Sequence, residues 1–458
     1  MKLKVNAKLD PQFQPLSLVC REIREATKDN GQDILIGIER NKGYTYIYKT
    51  RIFPDGTGHD EENFNFIERI VKSLLWVAGG YKVIIAGNET IGNKIKEAYT
   101  YGGSREFDVG FMERVYERKF EVEVVDMANA PVEKSAAAPI GRHLDGCRIG
   151  FDAGGSDRKV SAVVNGESVY SEEVVWFPKI NSDPEYHYQG ILDAMKTAAS
   201  HMPRVDAIGI SSAGVYVNNK IMVASLFLKV SNEDFDKKVK TMYLDVAKEI
   251  GENIPVEVAN DGDVTALAGA MELNDNAVLG VAMGTSEAGG YVDPQGNITG
   301  WLNELAFVPV DFCKDAMVDE WSGDYGCGVK YFSQDGVIKL APFAGIELDE
   351  SLSPAEKLKV VQGLMEKGDQ RAADIYDTIG AYFGYAIAYY AEFYDIKHVL
   401  IMGRVTSGEG GVILLERAQE VLDAEFPELS EKIKLHIPDE SSRRVGQSVV
   451  AASLPELK

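Results

Sequence analysis

Three short glycine-containing turns, each directly after an apolar strand-like segment, constrain the fold of this 458-residue chain more than any other feature. They are Asp152-Ala-Gly-Gly-Ser156, Met283-Gly-Thr-Ser-Glu-Ala-Gly-Gly290 and Met402-Gly-Arg-Val-Thr-Ser-Gly408. Glycine has no Cβ, so the backbone N–H groups of such a turn can close on an anion. Three such turns, spread over ~250 residues with acidic residues between them, predict the walls of one nucleotide-phosphate cleft.

The composition argues against nucleic-acid and membrane partners. The formal net charge of −23 opposes binding to nucleic acid, because that affinity depends on neutralisation of phosphates by Lys and Arg. No segment reaches the ~20 apolar residues of a membrane span, and the N-terminus lacks the apolar core of a secretory signal. The four cysteines are widely spaced, which favours reduced thiols over a disulfide framework. We therefore expect a cytoplasmic protein without nucleic-acid or membrane partners.

Apolar strands alternate with helices from residue 148 onwards, which predicts an α/β architecture. A stretch of small residues and prolines at 128–139 is typical of a linker. The pattern predicts an N-terminal α/β domain over residues 1–140, an N-lobe over 146–265 and a C-lobe over 266–458.

The front domain follows the order strand, strand, helix, strand, and the same order recurs after residue 148. This recurrence predicts a duplicated half-domain, although any two units built from two strands, a helix and a strand look alike when only the order of elements is compared. Its first strand runs into Glu39-Arg-Asn-Lys-Gly43, which lacks a glycine-rich phosphate loop. We expect a structural, dimerising or regulatory domain that packs against the rest of the protein or a second subunit.

Two aspartates carry the expected chemistry. Phosphoryl transfer to an alcohol requires a cradled, metal-bound phosphate and a carboxylate that accepts the proton of the hydroxyl. Asp152 ends a strand beside Gly154 and can hold Mg²⁺ or its waters, although Asp before Gly is also a common turn residue. Asp261 lies in a strand-to-helix turn, where α/β sheets place ligands, and a helix is predicted near Asp263. The alternative role in this turn is helix N-capping, which we assign to Asp263.

From Cys147 onwards, the ordered set of motifs resembles the ROK family, which comprises bacterial repressors and sugar kinases of the actin-like, hexokinase-like ATPase superfamily. The turn at Asp152 resembles its first phosphate motif, and Glu257-Val-Ala-Asn-Asp261 is similar to the segment that holds its catalytic base. The turns at Gly284 and Gly403 are similar to the second phosphate loop and the adenosine-side loop. The resemblance implies a ribonuclease H-like ATPase fold with two lobes around a cleft, preceded by the extra α/β domain.

The resemblance also implies a role for each matching residue. Asp261 is the expected general base, and Asp152 is expected to hold Mg²⁺ through the phosphates of ATP. The expected nucleotide contacts are Asp152, Gly154, Gly155, Ser156, Gly284, Thr285, Ser286, Gly403 and Ser407. The expected substrate contacts are Asn260, Glu304, Gly214 and Phe307.

Two departures from the family pattern affect the expected site. Where the family usually has Glu-x-Gly-His, with the His also a zinc ligand, this chain has Glu304-Leu-Ala-Phe307. The cysteine cluster of the family is reduced to Cys327, and Cys313 lies too far upstream to complete it. Because structural zinc needs four N or S ligands, we expect no zinc. Phe307 can stack on the apolar face of a sugar, or the pocket holds a different substrate.

These observations predict a kinase that uses ATP and Mg²⁺ to phosphorylate a hydroxyl of a sugar or sugar-like polyol, working as a homodimer. One alternative is a non-catalytic sensor of sugar or nucleotide that keeps the fold. Another is an ATPase that drives conformational work. Retention of Asp152, Asp261 and all three loops favours the kinase, because a sensor does not need a base.

Overall fold

The computed structural model describes residues 2–135, 140–438 and 440–457. The predicted linker at 128–139 therefore lies partly outside the described residues. The strands in chain order are β1 Gln32–Arg40, β2 Tyr44–Ile52, β3 Lys82–Ala86, β4 Glu121–Val125, β5 Cys147–Ala153, β6 Asp157–Val164, β7 Glu167–Val175, β8 Ala207–Ser212, β9 Val215–Val217, β10 Lys220–Val223, β11 Val256–Asn260, β12 Val278–Met283, β13 Glu287–Val292, β14 His398–Met402 and β15 Lys434–His436. The α-helices are α1 Leu16–Ala26, α2 Asp60–Val77, α3 Glu89–Ala98, α4 Glu106–Tyr116, α5 Pro184–Ser200, α6 Asn232–Asp234, α7 Met242–Ile250, α8 Asp261–Leu273, α9 Gln334–Leu340, α10 Pro354–Met365, α11 Gln370–Tyr390, α12 Glu409–Glu425, α13 Pro427–Lys432 and α14 Glu440–Ala452.

The chain divides into two compact units. The first unit comprises residues 1–136, 281–289 and 301–437, and the second comprises 137–280, 290–300 and 438–458. The front region thus belongs to the same compact unit as residues 301–437, in agreement with the expectation that it packs on the rest of the protein. The domain boundaries at residues 140 and 265 stay a prediction.

The second unit contains a five-stranded sheet with the order β11-β8-β5-β6-β7. Strands β5, β8 and β11 are parallel, and β6 and β7 are added as antiparallel strands. Helix α14 approaches this sheet so closely that a Cβ on Gly150 would lie 1.7 Å from the carbonyl oxygen of Ser448. Glycine at this position of β5 is therefore required by helix-sheet packing. The α/β class predicted from the sequence is confirmed.

The front sheet of the first unit has the order β2-β1-β3-β4. Strand β1 pairs antiparallel with both β2 and β3, whereas the corresponding pair β5 and β8 is parallel. The difference arises because two strands, β6 and β7, separate β5 from the helix before β8, and only β2 separates β1 from α2. One strand fewer reverses the direction of the strand after the helix. The front sheet therefore does not repeat the strand directions of the second unit, and the predicted duplication is wrong in this respect.

Helix α11 is the central helix of the first unit, as predicted from its alanines and glycines. Gly380 and Gly384 allow close approach to α12, because a Cβ at either position would lie 2.5 Å from an atom of that helix. Four of its tyrosines are buried and hydrogen-bonded within the unit, which fits the expected packing role: Tyr382, Tyr385, Tyr389 and Tyr390. Although α11 has 21 residues, no helix in the described part of the chain is both long and apolar enough to cross a membrane.

A third sheet has the order β13-β12-β14-β15, with β14 and β15 parallel. Strands β12 and β14 end at the two remaining glycine turns of the sequence pattern. Each of the three turns thus follows a strand, as the sequence predicted.

Candidate functional site

The first glycine turn connects β5 to β6 within the second unit. Trp176, directly after β7, holds this turn. Its indole Nε1 donates to the carbonyl oxygen of Gly154 at 2.8 Å, and its backbone N–H donates to that of Ser156 at 3.1 Å. Among the described residues, the N–H groups of Gly154, Gly155 and Ser156 make no hydrogen bond outside the strand ladder. The turn therefore presents free backbone donors, as an anion-binding loop does.

Asp152 is the first residue of this turn segment, next to the last residue of β5, and is 5% exposed. Its Oδ1 accepts a hydrogen bond from Ser211 Oγ at 2.8 Å, and its Oδ2 lies 3.8 Å from Lys159 Nζ. Burial raises the pKa of Asp152 to about 6, Ser211 and Lys159 oppose this rise, and the charge of Asp261 adds to it. Asp152 is therefore ionised at neutral pH, and Asp261 lies within electrostatic range.

The turn before α8 places Asn260, Asp261 and Gly214 together. Asn260 caps the helix, because its Oδ1 accepts from Gly262 N at 2.7 Å, while its Nδ2 donates to the carbonyl oxygen of Gly214 at 2.7 Å. The helix begins at Asp261, two residues earlier than predicted. The capping role assigned to Asp263 is therefore wrong: Asp263 is buried, and its Oδ1 accepts from Tyr291 N at 3.0 Å.

The carboxyl group of Asp261 is only partly satisfied by the protein. Its Oδ1 accepts from Gly262 N at 3.0 Å, and no described residue donates to its Oδ2. Burial raises the pKa of Asp261, whereas backbone N–H groups and the charge of Lys179 lower it. An ionised carboxylate with a free oxygen can accept the proton of a bound hydroxyl.

The other two glycine loops meet within the first unit. The backbone of Gly403, at φ 103°, passes so close to β12 that a Cβ there would lie 2.3 Å from the carbonyl oxygen of Met283. Arg404 Nη2 donates to Thr285 Oγ1 at 3.4 Å, which links the two loops. In the loop that follows β12, Gly284 N donates to the carbonyl oxygen of Ser286 at 3.0 Å. The loop that contains Gly403 continues to Ser407, whose N–H donates to the carbonyl oxygen of Arg404 at 3.4 Å.

Glu304 and Phe307 lie in a short segment that contacts the front region. The backbone N–H of Glu304 donates to the carbonyl oxygen of Trp76 at 3.0 Å. Phe307 is 6% exposed, and its ring centroid lies 4.2 Å from that of Trp76 and 6.0 Å from that of Phe107. The ring of Phe307 therefore packs on protein aromatics, and its contact with a substrate stays a prediction.

A buried ionic cluster lies beside Cys327 and was not foreseen from the sequence. Its members are three acids and three bases, all buried: Glu68, Asp108, Asp324, Arg69, Lys72 and Arg105. Asp324 lies 3.0 Å from Arg69 Nη1, 3.0 Å from Lys72 Nζ and 2.7 Å from Arg105 Nη1. The front region thus supplies three cations to the segment in which the family pattern has cysteines. Burial raises the pKa of Cys327 to about 12, so its thiol is protonated.

No group of three or more His, Cys, Asp and Glu side chains suited to a metal ion occurs in the described part of the chain. The absence of zinc stays a prediction. The sequence pattern assigned no role to Lys159 or Lys179, which lie near the first glycine turn. Ser211 belongs to segment 208–214, which resembles the strand and loop that line the sugar site of the family. Ser211 is the penultimate residue of β8 and pairs with Asp152 of β5. Lys179 carries no motif, and only the tertiary structure reveals its position.

The fold and the site define an α/β protein with glycine loops after its strands and a half-satisfied carboxylate at the start of a helix. The ROK family model matches residues 148–451, which is about two thirds of the chain. The chain therefore belongs to the ROK family. The match begins after the front region, which is an addition to the family domain. No curated protein matches the sequence of this chain.

Two solved structures of the family, each with a TM-score of 0.51, share the fold. A ROK hexokinase from Thermus thermophilus is 17% identical, with a TM-score of 0.51 over 67% of this chain and 97% of that chain. A ROK family transcriptional regulator, a homologue of the E. coli MLC protein, is also 17% identical, with a TM-score of 0.51 over 68% of this chain and 79% of that chain. A ROK glucokinase from Streptomyces griseus, in complex with glucose and AMPPNP, is 19% identical, with a TM-score of 0.46 over 68% of this chain and 99% of that chain. The family thus includes both kinases and regulators.

Proposed function

We propose that this protein is an ATP-dependent kinase that phosphorylates a hydroxyl group of a sugar or sugar-like polyol. The observation that carries the proposal is the pairing, within the second unit, of a glycine turn with free N–H donors and Asp261 with a free carboxylate oxygen. Asp261 accepts the proton of the acceptor hydroxyl, and Asn260 holds the adjacent loop through Gly214. Glu304 orients the substrate.

The nucleotide contacts follow from the three glycine loops. Backbone N–H groups of Gly154 and Gly155 contact phosphate, and Gly284 and Thr285 do the same from the second loop. The loop at Gly403 contacts the adenosine, as the family resemblance implies.

The residues present fit a magnesium ion. Mg²⁺ is usually bound by one or two carboxylates together with substrate phosphates and water, and Asp152 is ionised at neutral pH because the pKa is about 6. When bound, the ion neutralises charge on the phosphates of ATP. Asp152 holds it, and Ser211 keeps the carboxylate of Asp152 oriented.

A second candidate function is a non-catalytic sensor of sugars. It is favoured by Phe307, which is packed on Trp76 and takes the place of a polar residue that grips sugar in the family pattern. A sensor has no need of a base, however, and the free carboxylate oxygen of Asp261 supports the role of one.

ADP release by the full-length protein, measured with Mg·ATP and a panel of hexoses, amino sugars and polyols, separates the two functions. We expect one class of sugar to stimulate ADP release and EDTA to abolish it. Sugar binding by calorimetry without sugar-dependent ADP release would favour the sensor. Neither sugar binding nor sugar-dependent turnover would overturn both proposals.

A further inference from the structure

Lys179 lies directly on the first glycine turn. It is the central residue of the short 3-10 helix Pro178–Ile180 that follows β7, and its side chain is exposed. A Cβ built on Gly155 would lie 2.7 Å from Lys179 Cε and 2.8 Å from Lys179 Nζ. The ammonium group therefore lies against the backbone of Gly155, in space that a side chain at this position would occupy.

The same ammonium group also acts on Asp261. Burial raises the pKa of Asp261, and the positive charge of Lys179 is among the influences that lower it. Lys179, Gly155 and Asp261 all belong to the second unit. The ammonium group is thus close to both the anion-binding turn and the free carboxylate.

The backbone just before Lys179 is fixed by two contacts. Trp176 hydrogen-bonds to the glycine turn, and the carbonyl oxygen of Pro178 lies 3.1 Å from Nε2 of the buried His187 in α5. The side chain of Lys179 is not fixed in this way, because it makes no hydrogen bond or ion pair with any described residue.

Lys159, the other lysine of this region, differs in this respect. Its Nζ lies 3.0 Å from Asp157 Oδ1 and 3.8 Å from Asp152 Oδ2. Its charge is therefore already compensated by carboxylates. Lys179 has no carboxylate within ion-pair distance among the described residues, and it brings its positive charge to a turn whose backbone donors are also free. This combination suits an anion.

The geometry points to Lys179 as a catalytic residue that binds the phosphoryl group during its transfer to the hydroxyl beside Asp261. This inference rests on the proposed kinase function. Negative charge spreads over the equatorial oxygens of the phosphoryl group in the transition state, and a positioned cation stabilises it there. The bond from phosphorus to the leaving oxygen of ADP breaks, the bond to the substrate oxygen forms, and the hydroxyl proton passes to Asp261.

The test compares Lys179→Gln with Lys179→Arg and with Lys196→Gln, which makes the same charge change at an exposed site on α5. We expect Lys179→Gln to lower kcat by roughly 10²-fold and Lys196→Gln to leave it unchanged. Lys179→Arg should restore part of the activity. Binding of AMPPNP, measured by calorimetry, should weaken by roughly tenfold in Lys179→Gln, while binding of ADP should change little.

The pH profile supplies a readout that general damage to the fold would not move. Loss of the positive charge raises the pKa of Asp261, so the acidic limb of the kcat/KM profile should shift to higher pH in Lys179→Gln. A lower kcat with an unshifted profile and unchanged AMPPNP binding would overturn the inference.

The outcomes separate this inference from the kinase proposal. If the wild type phosphorylates a sugar and Lys179→Gln behaves like Lys196→Gln, the role of Lys179 is overturned and the kinase function stands. If the wild type shows no sugar-dependent turnover but prefers AMPPNP to ADP through Lys179, the kinase function is overturned and the phosphate contact stands. A wild type that binds neither nucleotide overturns both.

Discussion

Acids and bases lie together both around the first glycine turn and in the buried ionic cluster. The two regions differ in how completely these charges are paired with one another. In the cluster, each acid lies within ion-pair distance of at least one base, and Asp324 contacts all three bases. Around the turn, Asp261 keeps one free oxygen, and Lys179 makes no hydrogen bond or ion pair with a described residue. A fully paired cluster has no capacity left for a ligand, whereas incomplete pairing leaves donors and acceptors available.

Burial alone therefore does not distinguish a structural charge from a functional one. Asp324 and Asp152 are 2% and 5% exposed, respectively. They differ in their ionic partners: Asp324 lies within 3.0 Å of three bases, whereas Asp152 lies 3.8 Å from one lysine and accepts one hydrogen bond from Ser211. Substitutions around the first glycine turn should consequently affect activity, and substitutions in the buried ionic cluster should affect stability.

The largest effect is expected from Asp261→Asn. The amide cannot accept the proton of the hydroxyl, so kcat should fall by roughly 10²–10⁴-fold, with nucleotide binding within a few-fold of the wild type. Because burial raises the pKa of Asp261, loss of the charge should not lower the free energy of unfolding. Activity assays and urea denaturation of the same preparation check both points. A variant with nearly wild-type kcat shows that Asp261 is not the base.

Asp324→Asn should instead lower the stability of the protein. It leaves three buried bases with two acids, and an uncompensated buried charge typically costs about 3–5 kcal/mol of stability. The midpoint of urea denaturation measures the loss. The matched control is Glu61→Gln, which removes an exposed partner of Lys314 in the same unit and should leave the midpoint unchanged. Equal midpoints for the two variants would contradict the structural role of the cluster.

Glu287 is a buried acid with incomplete pairing in the first unit, and it should have a smaller effect on stability than Asp324. Its Oε1 accepts from Tyr390 at 3.2 Å, its Oε2 has no partner in the described structure, and burial raises the pKa of Glu287 to about 8. The folded state therefore keeps a proton that an unfolded Glu loses above pH ~4.3, and the free energy of unfolding falls as pH rises through this window.

The wild type should lose about 2 kcal/mol of stability between pH 6 and pH 8 relative to Glu287→Gln, which keeps the shape but does not titrate. Urea denaturation at the two pH values measures this difference. Parallel pH profiles for the two proteins would mean that Glu287 is ionised in the folded state, with a partner that compensates its charge.

Much of the site was predictable because its residues are local in sequence. A strand that ends in Asp152 and two glycines, or in Asn260 and Asp261, places these groups at a strand end whatever the rest of the chain does. The α/β class, the family and the positions of the three turns followed from such patterns. The first helical residue of α8 and its cap did not, because Asn260, Asp261 and Asp263 are all good capping residues and only the backbone path decides among them.

The sequence by itself determined where the glycine turns and the two aspartates lie along the strands, because these depend on contacts between near neighbours in the chain. Only the tertiary structure decided which charges are paired, because the partners are far apart in sequence: Arg69 meets Asp324 across 255 positions. It likewise placed Lys179 on Gly155 and Trp76 on Phe307, and it set β3 antiparallel to β1. Such contacts depend on how whole elements pack, and no short motif records that packing.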